Sequence, residues 1–138
     1  MPGPPTADSA DGQREPPNPP ELLVHVTRAD GYAVVKVAGE LDFHTSGPLR
    51  EQLREMAQDG QRPAVILDLA EVTFCDSSGL NAMVVAYKAI HARGGSLVIA
   101  CPSQQCQRML TRTGVDRYIG SAHSMQGAVR LTLAALRA

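Results

Sequence analysis

Two short runs of apolar residues restrict the folds open to this chain. Residues 63–69 (PAVILDL) and 96–101 (SLVIAC) each have an unbroken apolar centre. Strands of this kind are covered on both faces, as in a parallel sheet packed between helices. Between them, residues 77–93 repeat apolar side chains at helical spacing, and the glycines at 94 and 95 follow as a helix stop. This order predicts a strand–helix–strand unit with a right-handed crossover.

The residues before this unit predict a hairpin and a helix. Residues 22–28 (LLVHVTR) and 32–37 (YAVVKV) are rich in β-branched side chains and flank a turn signal at 29–31 (ADG). Gly39 is predicted to end the second strand. An amphipathic helix is then predicted from a start at residues 46–47 to a stop at residues 59–60 (DG).

The residues after 101 complete the pattern. Ser103 is a candidate cap for a helix through residue 112, and Val115, Tyr118 and Ile119 predict a short edge strand. A last helix is predicted over 125–136. This element order, β-β-α-β-α-β-α-β-α, predicts an α/β fold: a mostly parallel sheet of four to five strands, an N-terminal β-hairpin and about four helices.

The first 20 residues differ in composition from the rest. They hold seven of the ten prolines, and after Met1 they contain no Val, Ile, Leu, Phe or Tyr. A segment that lacks large apolar side chains cannot offset its ordering entropy by burial. We therefore predict a disordered, proline-rich tail over residues 1–20 and one folded domain over residues 21–138.

Charge and hydropathy argue against several classes of function. Thirteen basic and fourteen acidic side chains give a net charge of −1. Direct nucleic-acid binding is therefore not predicted, because it requires a basic surface. No apolar run reaches the roughly 18 to 20 residues that a membrane helix needs, and the N-terminus lacks the pattern of a signal peptide. We expect a cytoplasmic protein that has no membrane segment.

The three cysteines, Cys75, Cys101 and Cys106, fit a reducing compartment. Their odd number, in a chain with no export signal, argues against a disulfide framework. Combined with His91 and His123, Cys101 and Cys106 do not match the spacing of a standard zinc site. We predict buried, reduced thiols, and neither a metal nor a cofactor.

The most unusual stretch is residues 76–80 (DSSGL), where a loop leads into a helix. In the simplest interpretation, Asp76 and Ser77 cap that helix by accepting hydrogen bonds from its first N–H groups. A nucleophile elbow is disfavoured because Phe74 or Cys75 stands where its first glycine belongs, and no histidine has the context of a triad. A phosphate-binding P-loop is disfavoured because the chain has no G-x-x-x-x-G-K-[ST] pattern.

A further interpretation is that a serine in this stretch is itself modified by another protein's kinase. Phosphorylation adds about −1.5 to −2 charges at neutral pH. We expect the phosphate to gain from the helix dipole and from free N–H groups at the helix start, and to be repelled by Asp76. A neutral docking surface would become anionic without a change of fold, which suits an on/off binding switch.

A second stretch, residues 39–45 (GELDFHT), follows a strand of the predicted sheet. It also fits a plain strand–turn–helix junction with a glycine and caps. In open α/β sheets, however, the edge at the carboxyl ends of the strands is where ligands and partners bind. Because Asp42 and Asp76 both follow sheet strands, we expect them on one side of the molecule.

Together, these two stretches resemble the STAS domain of the bacterial anti-sigma factor antagonists. The family pattern G-E-L-D-x-x-T matches residues 39–45, and the pattern F-x-D-S-S-G-L matches residues 74–80. The pairs at 94–95 (GG) and 113–114 (TG) also agree in position. The resemblance covers residues 21–138, which is the whole of the predicted domain.

The resemblance implies a switch protein rather than an enzyme. In this family the unphosphorylated antagonist binds an anti-sigma factor that is also a serine protein kinase, which frees the sigma factor. Phosphorylation of the serine after the motif's aspartate, here Ser77, inactivates the antagonist, and a phosphoserine phosphatase restores it. By position, Asp76 shapes the site, Asp42 and Thr45 belong to the partner surface, and Ser78 is the neighbouring hydroxyl. The free protein is expected to be a monomer.

Helical spacing places Asn81, Val85 and Lys88 on the same outward face as Ser77, and this face extends the expected partner surface. Val85 is apolar among polar neighbours and is a candidate anchor. Asn81 stands where the family commonly has a small residue, which implies a change in the kinase that docks there.

Two other functions stay open at this point. One is a STAS-type scaffold or transporter-associated module without phosphorylation control, which neighbouring genes would reveal. The other is a weak nucleotide-binding protein, which a GTP or ATP binding assay would reveal.

Overall fold

The computed structural model describes residues 22–137, so the predicted tail lies outside the described residues. In chain order, the elements are β1 (Leu23–Ala29), β2 (Tyr32–Leu41), α1 (Ser46–Ala57), β3 (Ala64–Cys75), α2 (Ser77–Ala92), β4 (Ser96–Ala100), α3 (Gln104–Thr113), a 3-10 turn (Val115–Arg117), β5 (Gly120–Ala122) and α4 (Met125–Arg137). Within residues 22–137, no helix is long and apolar enough to cross a membrane.

The five strands form one sheet in the order β1-β2-β3-β4-β5. β1 and β2 are antiparallel, and the three other neighbouring pairs are parallel. The hairpin turn includes Gly31 at φ 91°, a conformation that glycine adopts without steric cost. The predicted α/β fold, with a mostly parallel sheet and an N-terminal hairpin, is confirmed.

Helices cover the two faces of the sheet unequally. On one face, α1, α2 and α3 bury Leu53, Ile90 and Leu110 in the larger core. On the other face, α4 packs against β3, β4 and β5 in a smaller core that includes Ile66 and Ala128. Removal of these apolar side chains from water is the main source of stability for such a layered fold.

β2 and β3 are both longer than the sequence predicts. Gly39, at φ 116°, does not end β2; it lies at an irregularity in the pairing with β3, and the strand continues to Leu41. β3 continues to Cys75, because it keeps β2 as a neighbour beyond Asp68, where its pairing with β4 ends. A bulge inserts residues without ending a strand, so a glycine within the apolar pattern was a misleading stop signal.

The edge strand predicted at Val115, Tyr118 and Ile119 is wrong. The chain forms the 3-10 turn there, and β5 begins only at Gly120. Val115 and Ile119 are both buried, and the Ile119 N–H donates to the Val115 carbonyl at 3.0 Å. Their spacing is that of one helical turn, which directs both side chains into the larger core.

α2 ends at the predicted stop, in a Schellman motif. Gly94 has φ 74°, and its N–H donates to the His91 carbonyl at 2.9 Å. The N–H of Gly95 donates to the Ile90 carbonyl at 3.0 Å, which completes the motif. The next N–H, that of Ser96, donates to the Pro63 carbonyl at 2.8 Å. These bonds fix the end of α2 against the residue that precedes β3.

Candidate functional site

The two sequence motifs meet at one edge of the sheet. Leu41 and Cys75 are paired neighbours at the ends of β2 and β3, so Asp42 and Asp76 leave adjacent parallel strands at the same edge. The Asp76 N–H donates to the Leu41 carbonyl at 3.1 Å and joins the two segments directly. The expectation that both aspartates lie on one side of the molecule is confirmed.

Asp76 is the N-cap of α2. Its backbone is extended, and its Oδ1 accepts hydrogen bonds from the N–H groups of Ser78 at 2.8 Å and Gly79 at 3.2 Å. The Leu80 N–H donates to the Asp76 carbonyl at 3.0 Å and forms the first bond of the helix. The capping interpretation is therefore correct for Asp76, whereas Ser77 occupies the first helical position.

The cap corrects one expectation about a phosphate on Ser77. The sequence predicted free N–H groups at the helix start that would receive the phosphate. In the structure, the N–H groups of Ser78 and Gly79 are already bound by the Asp76 carboxylate. A phosphate on Ser77 would therefore meet a negative neighbour, and fewer backbone donors than expected remain for it.

Ser77 itself is exposed, and its hydroxyl makes no hydrogen bond to another residue within the described range. Ser78 is half-buried. Ser77, which the family resemblance implies as the phosphate acceptor, is thus the more exposed of the two serines.

The loop after β2 is held by its own side chains. The Asp42 carboxylate accepts hydrogen bonds from the N–H groups of His44 at 2.9 Å and Thr45 at 3.0 Å. The Thr45 hydroxyl accepts from the Asp42 N–H at 2.9 Å and donates to the Glu40 carbonyl at 2.6 Å. Asp42 and Thr45 therefore fix the loop, and the Thr45 hydroxyl donates its hydrogen bond within this segment.

The same bonds also lower the pKa of Asp42. Partial desolvation raises the pKa of this carboxyl, but hydrogen bonds from the Thr45 and His44 N–H groups and the Thr45 hydroxyl outweigh it. The pKa of Asp42 consequently lies below its ordinary value, and the side chain is ionised at neutral pH.

The outward face of α2 continues the site along the molecule. Asn81, Val85 and Lys88 are all exposed, as the helical spacing predicts, and Val85 is 50% exposed. At a rise of about 1.5 Å per residue, Lys88 lies about 16 Å along the helix from Ser77. Ser77, Asn81, Val85 and Lys88 thus form one exposed strip along the outer face of α2.

Two exposed aromatic side chains at this edge are not among the site residues predicted from the sequence. Phe43 is 74% exposed in the loop after β2, edge-on to His44, and Phe74 is 43% exposed near the end of β3. They are the only two phenylalanines of the chain, and each falls inside one of the two motifs. Their position inside the motifs was the sequence signal that could have identified them, because large exposed apolar side chains are enriched where proteins bind.

Replacement of the cap tests its contribution to the fold. We expect Asp76→Ala to lower the free energy of unfolding by about 1 to 2 kcal/mol, because two N–H groups at the start of α2 lose their acceptor. Glu55→Ala is the matched control, since it removes a carboxylate from an exposed helical position of α1. Urea unfolding measures both variants, and equal midpoints would contradict the assigned cap.

The fold and this edge define a small α/β protein that presents an accessible serine at a helix start, flanked by exposed aromatic side chains. A sequence model of the STAS domain matches residues 24–134, and the chain belongs to that family. The family resemblance drawn from the two motifs is confirmed.

Named relatives agree with this assignment. An anti-sigma F factor antagonist of Paenibacillus polymyxa is 33% identical over 94 residues, which cover 68% of this chain and 80% of the relative. An anti-sigma-B factor antagonist of Staphylococcus aureus is 36% identical over 94 residues, which cover 68% and 86%. The crystal structure of an anti-sigma factor antagonist from Mycobacterium paratuberculosis matches with a TM-score of 0.70 at 26% identity, over 81% of this chain and 94% of that one.

Proposed function

We propose that this protein is an anti-sigma factor antagonist controlled by phosphorylation of Ser77. The unphosphorylated form binds an anti-sigma factor that is also a serine protein kinase, and the sigma factor is freed. Phosphate transfer to Ser77 ends the binding, and a phosphoserine phosphatase restores it. The single observation that carries the proposal is the exposed Ser77 at the first position of α2, beside the loop that Asp42 holds.

Accessibility favours Ser77 over Ser78 as the acceptor. A kinase must place the γ-phosphate in line with the attacking hydroxyl, which requires room around that oxygen. Ser77 is exposed, whereas Ser78 is half-buried in the first turn of α2. In this reaction the protein supplies only the hydroxyl, and ATP and the catalytic groups belong to the kinase. The protein then acts as a binding partner in the cytoplasm rather than as an enzyme.

The switch acts through charge at the partner surface. A phosphate would be added close to the Asp76 carboxylate, which already occupies the two nearest capping donors. The new charge is therefore incompletely compensated within the chain, and it faces the partner. A surface complementary to the neutral serine is then repelled, while the sheet and the helices need not rearrange.

The proposed partner surface is formed by the loop after β2, the end of β3, the start of α2 and the outer face of that helix. It comprises the residues predicted from the sequence together with the two phenylalanines: Asp42, Phe43, Thr45, Phe74, Asp76, Ser77, Ser78, Asn81, Val85 and Lys88. Asp42, Thr45 and Asp76 contribute mainly by fixing the backbone, because their side chains are bound within the site.

Phosphosite mapping tests the proposal. The purified protein is incubated with ATP and the serine kinase that it captures from its native cell, and the modified residue is identified by mass spectrometry. We expect one phosphate on Ser77 in the wild type and none in Ser77→Ala. A kinase that binds the chain but leaves Ser77 unmodified would overturn the proposal and favour a STAS module without phosphorylation control.

Phe43 is expected to be an anchor of the partner surface. We expect Phe43→Ala to weaken binding of the anti-sigma factor by about 10-fold or more, because buried aromatic anchors carry much of the energy of an interface. The free energy of unfolding should change little, since the side chain is 74% exposed. Leu131→Ala, an exposed residue of α4 on the other face of the sheet, is the control, and equal affinities of the two variants would remove Phe43 from the surface.

A further inference from the structure

β3 loses one of its two neighbouring strands before it reaches the serine. Its pairing with β4 ends at Asp68, whereas its pairing with β2 continues to Cys75. The last residues of β3 therefore have a strand on one side only. Cys75 is 1% exposed, and buried backbone N–H and C=O groups need hydrogen-bond partners. The groups that bond to Cys75 on its open side thus decide how the end of β3 is held.

A side chain of α3 takes the place of the missing strand. The Gln105 Oε1 accepts a hydrogen bond from the Cys75 N–H at 2.9 Å, and the Gln105 Nε2 donates to the Cys75 carbonyl at 3.1 Å. One amide thus bonds to both backbone groups of a single residue, as a neighbouring strand does. Gln105 is half-buried in the first turn of α3, where the Ser103 hydroxyl accepts from the Cys106 N–H at 3.3 Å. A capped helix end therefore presents the amide to β3.

These bonds lie two residues before Ser77. On the opposite side, the Asp76 N–H donates to the Leu41 carbonyl at 3.1 Å, so the two residues before the serine are held by α3 and by β2. The first turn of α2 packs on the same side chain, because a Cβ built on Gly79 would lie 3.1 Å from the Cys75 Sγ. A displacement of Cys75 therefore reaches Ser77 through the chain and through this contact.

We propose that Gln105 is a positioning residue for Ser77, because its amide fixes the end of β3 and so sets where the serine lies. Both hydrogen bonds of Gln105 go to the backbone of Cys75, so it acts through that residue and not on the serine hydroxyl. Gln105 belongs to neither sequence motif and is not among the site residues predicted from the sequence.

The effect of Gln105 on phosphate transfer rests on the proposed function, whereas its effect on the place of Ser77 in the free protein does not. Phosphoryl transfer requires the attacking oxygen to be in line with the leaving group. A misplacement of about 1 Å can lower the rate of such a step by about 100-fold. Loss of the two bonds should therefore act on the transfer step more than on binding of the kinase.

Three variants isolate the two hydrogen bonds. Gln105→Met keeps an unbranched side chain of similar length but neither bond. Gln105→Glu keeps an acceptor for the Cys75 N–H, but an ionised carboxylate cannot donate to the Cys75 carbonyl. Gln104→Met is the matched control, because it makes the same substitution at an exposed position of the same helical turn.

Amide NMR of the purified chain tests the positioning without a partner. In Gln105→Met we expect the Cys75 N–H to exchange with solvent about 10-fold faster than in the wild type, while the Asp76 N–H stays protected. The Ser77 amide signal should shift in Gln105→Met and stay in place in Gln104→Met. If Gln105→Met does not fold, the same shift is expected in Gln105→Glu. An unchanged Cys75 exchange rate or an unmoved Ser77 signal would overturn the proposal.

Phosphorylation kinetics separate positioning from stability. The chain is the varied substrate, with ATP and the serine kinase that the wild type captures from its native cell. We expect Gln105→Met to lower kcat by about 10-fold and to change KM by less than about twofold, because the exposed side chains of the partner surface are unaltered. Lower stability alone would reduce the folded fraction, which raises the apparent KM and leaves kcat unchanged.

The outcomes distinguish this proposal from the proposed function. A folded Gln105→Met protein that is phosphorylated with the kcat of the wild type would show that Gln105 does not position the serine. If the kinase leaves Ser77 of the wild type unmodified, the proposed function fails. The exchange and shift measurements then decide by themselves whether Gln105 sets the place of Ser77.

Discussion

Ser77→Asp is expected to lower the affinity for the anti-sigma factor by about 100-fold, whereas Ser77→Ala should bind as the wild type does. A like-charge or unpaired charge at the centre of an interface costs several kcal/mol, and each 1.4 kcal/mol is about a factor of ten. At this position the added carboxylate lies beside Asp76, and the nearest capping donors are occupied. The start of α2 therefore offers few hydrogen-bond donors to stabilise the added charge, and the loss appears as weaker binding of the partner.

Isothermal titration or a biosensor with the purified anti-sigma factor measures this effect. Gln126→Asp is a suitable control, because it adds the same charge to an exposed position in the first turn of α4, on the other face of the sheet. We expect that variant to bind like the wild type. If Ser77→Asp and Ser77→Ala bound equally, charge at the start of α2 would not be the switch.

Gly95→Ala is expected to destabilise the fold by about 3 kcal/mol, at the upper end of the usual cost of overpacking. A Cβ at this position would lie 2.1 Å from the Pro63 carbonyl oxygen and 2.9 Å from Cγ2 of Ile90. The carbonyl has little freedom to move, because it also accepts the Ser96 N–H at 2.8 Å. The obstacle at Gly95 is space, whereas at the preceding Gly94 it is the positive φ of 74°.

The matched control for this substitution is Gly47→Ala in the first turn of α1. A Cβ there would meet no atom within 4 Å apart from its chain neighbours. Because Pro48 follows and disfavours the helical conformation of a preceding residue that has a Cβ, it offsets the higher helix propensity of alanine, and Gly47→Ala should change the midpoint of urea unfolding little. A Gly95→Ala protein that unfolded at the same midpoint as Gly47→Ala would show that the end of α2 can relax.

Short-range patterns were enough to predict the fold. The apolar runs that became β3 and β4 and the helical spacing of α2 are local features, and local features predict parallel α/β units well. The lengths of β2 and β3 were not predicted, because pairing past Gly39 depends on a neighbouring strand that only the folded sheet supplies. The 3-10 turn at Val115 was missed for a similar reason, since burial of Val115 and Ile119 on one side decides it.

The sequence predicted which residues form the candidate site, but not how they are hydrogen-bonded. The motifs located Asp42, Asp76 and Ser77, and the structure brings all three to one edge. The sequence did not reveal that the Asp76 carboxylate accepts from the N–H groups of both Ser78 and Gly79, because competition for a donor depends on the folded geometry. It also did not reveal that Phe43 and Phe74 are exposed, since aromatic residues in strands and turns are more often buried.

The hydrogen bond between the Asp76 N–H and the Leu41 carbonyl affects how quickly the proposed partner can bind. It joins the loop after β2 to the start of α2 in the free protein, so less conformational entropy is lost when the proposed partner binds. Association should then be limited by diffusion and orientation rather than by ordering of a loop. Under the proposed function, the lifetime of the complex, more than its rate of formation, would distinguish the unphosphorylated from the phosphorylated protein.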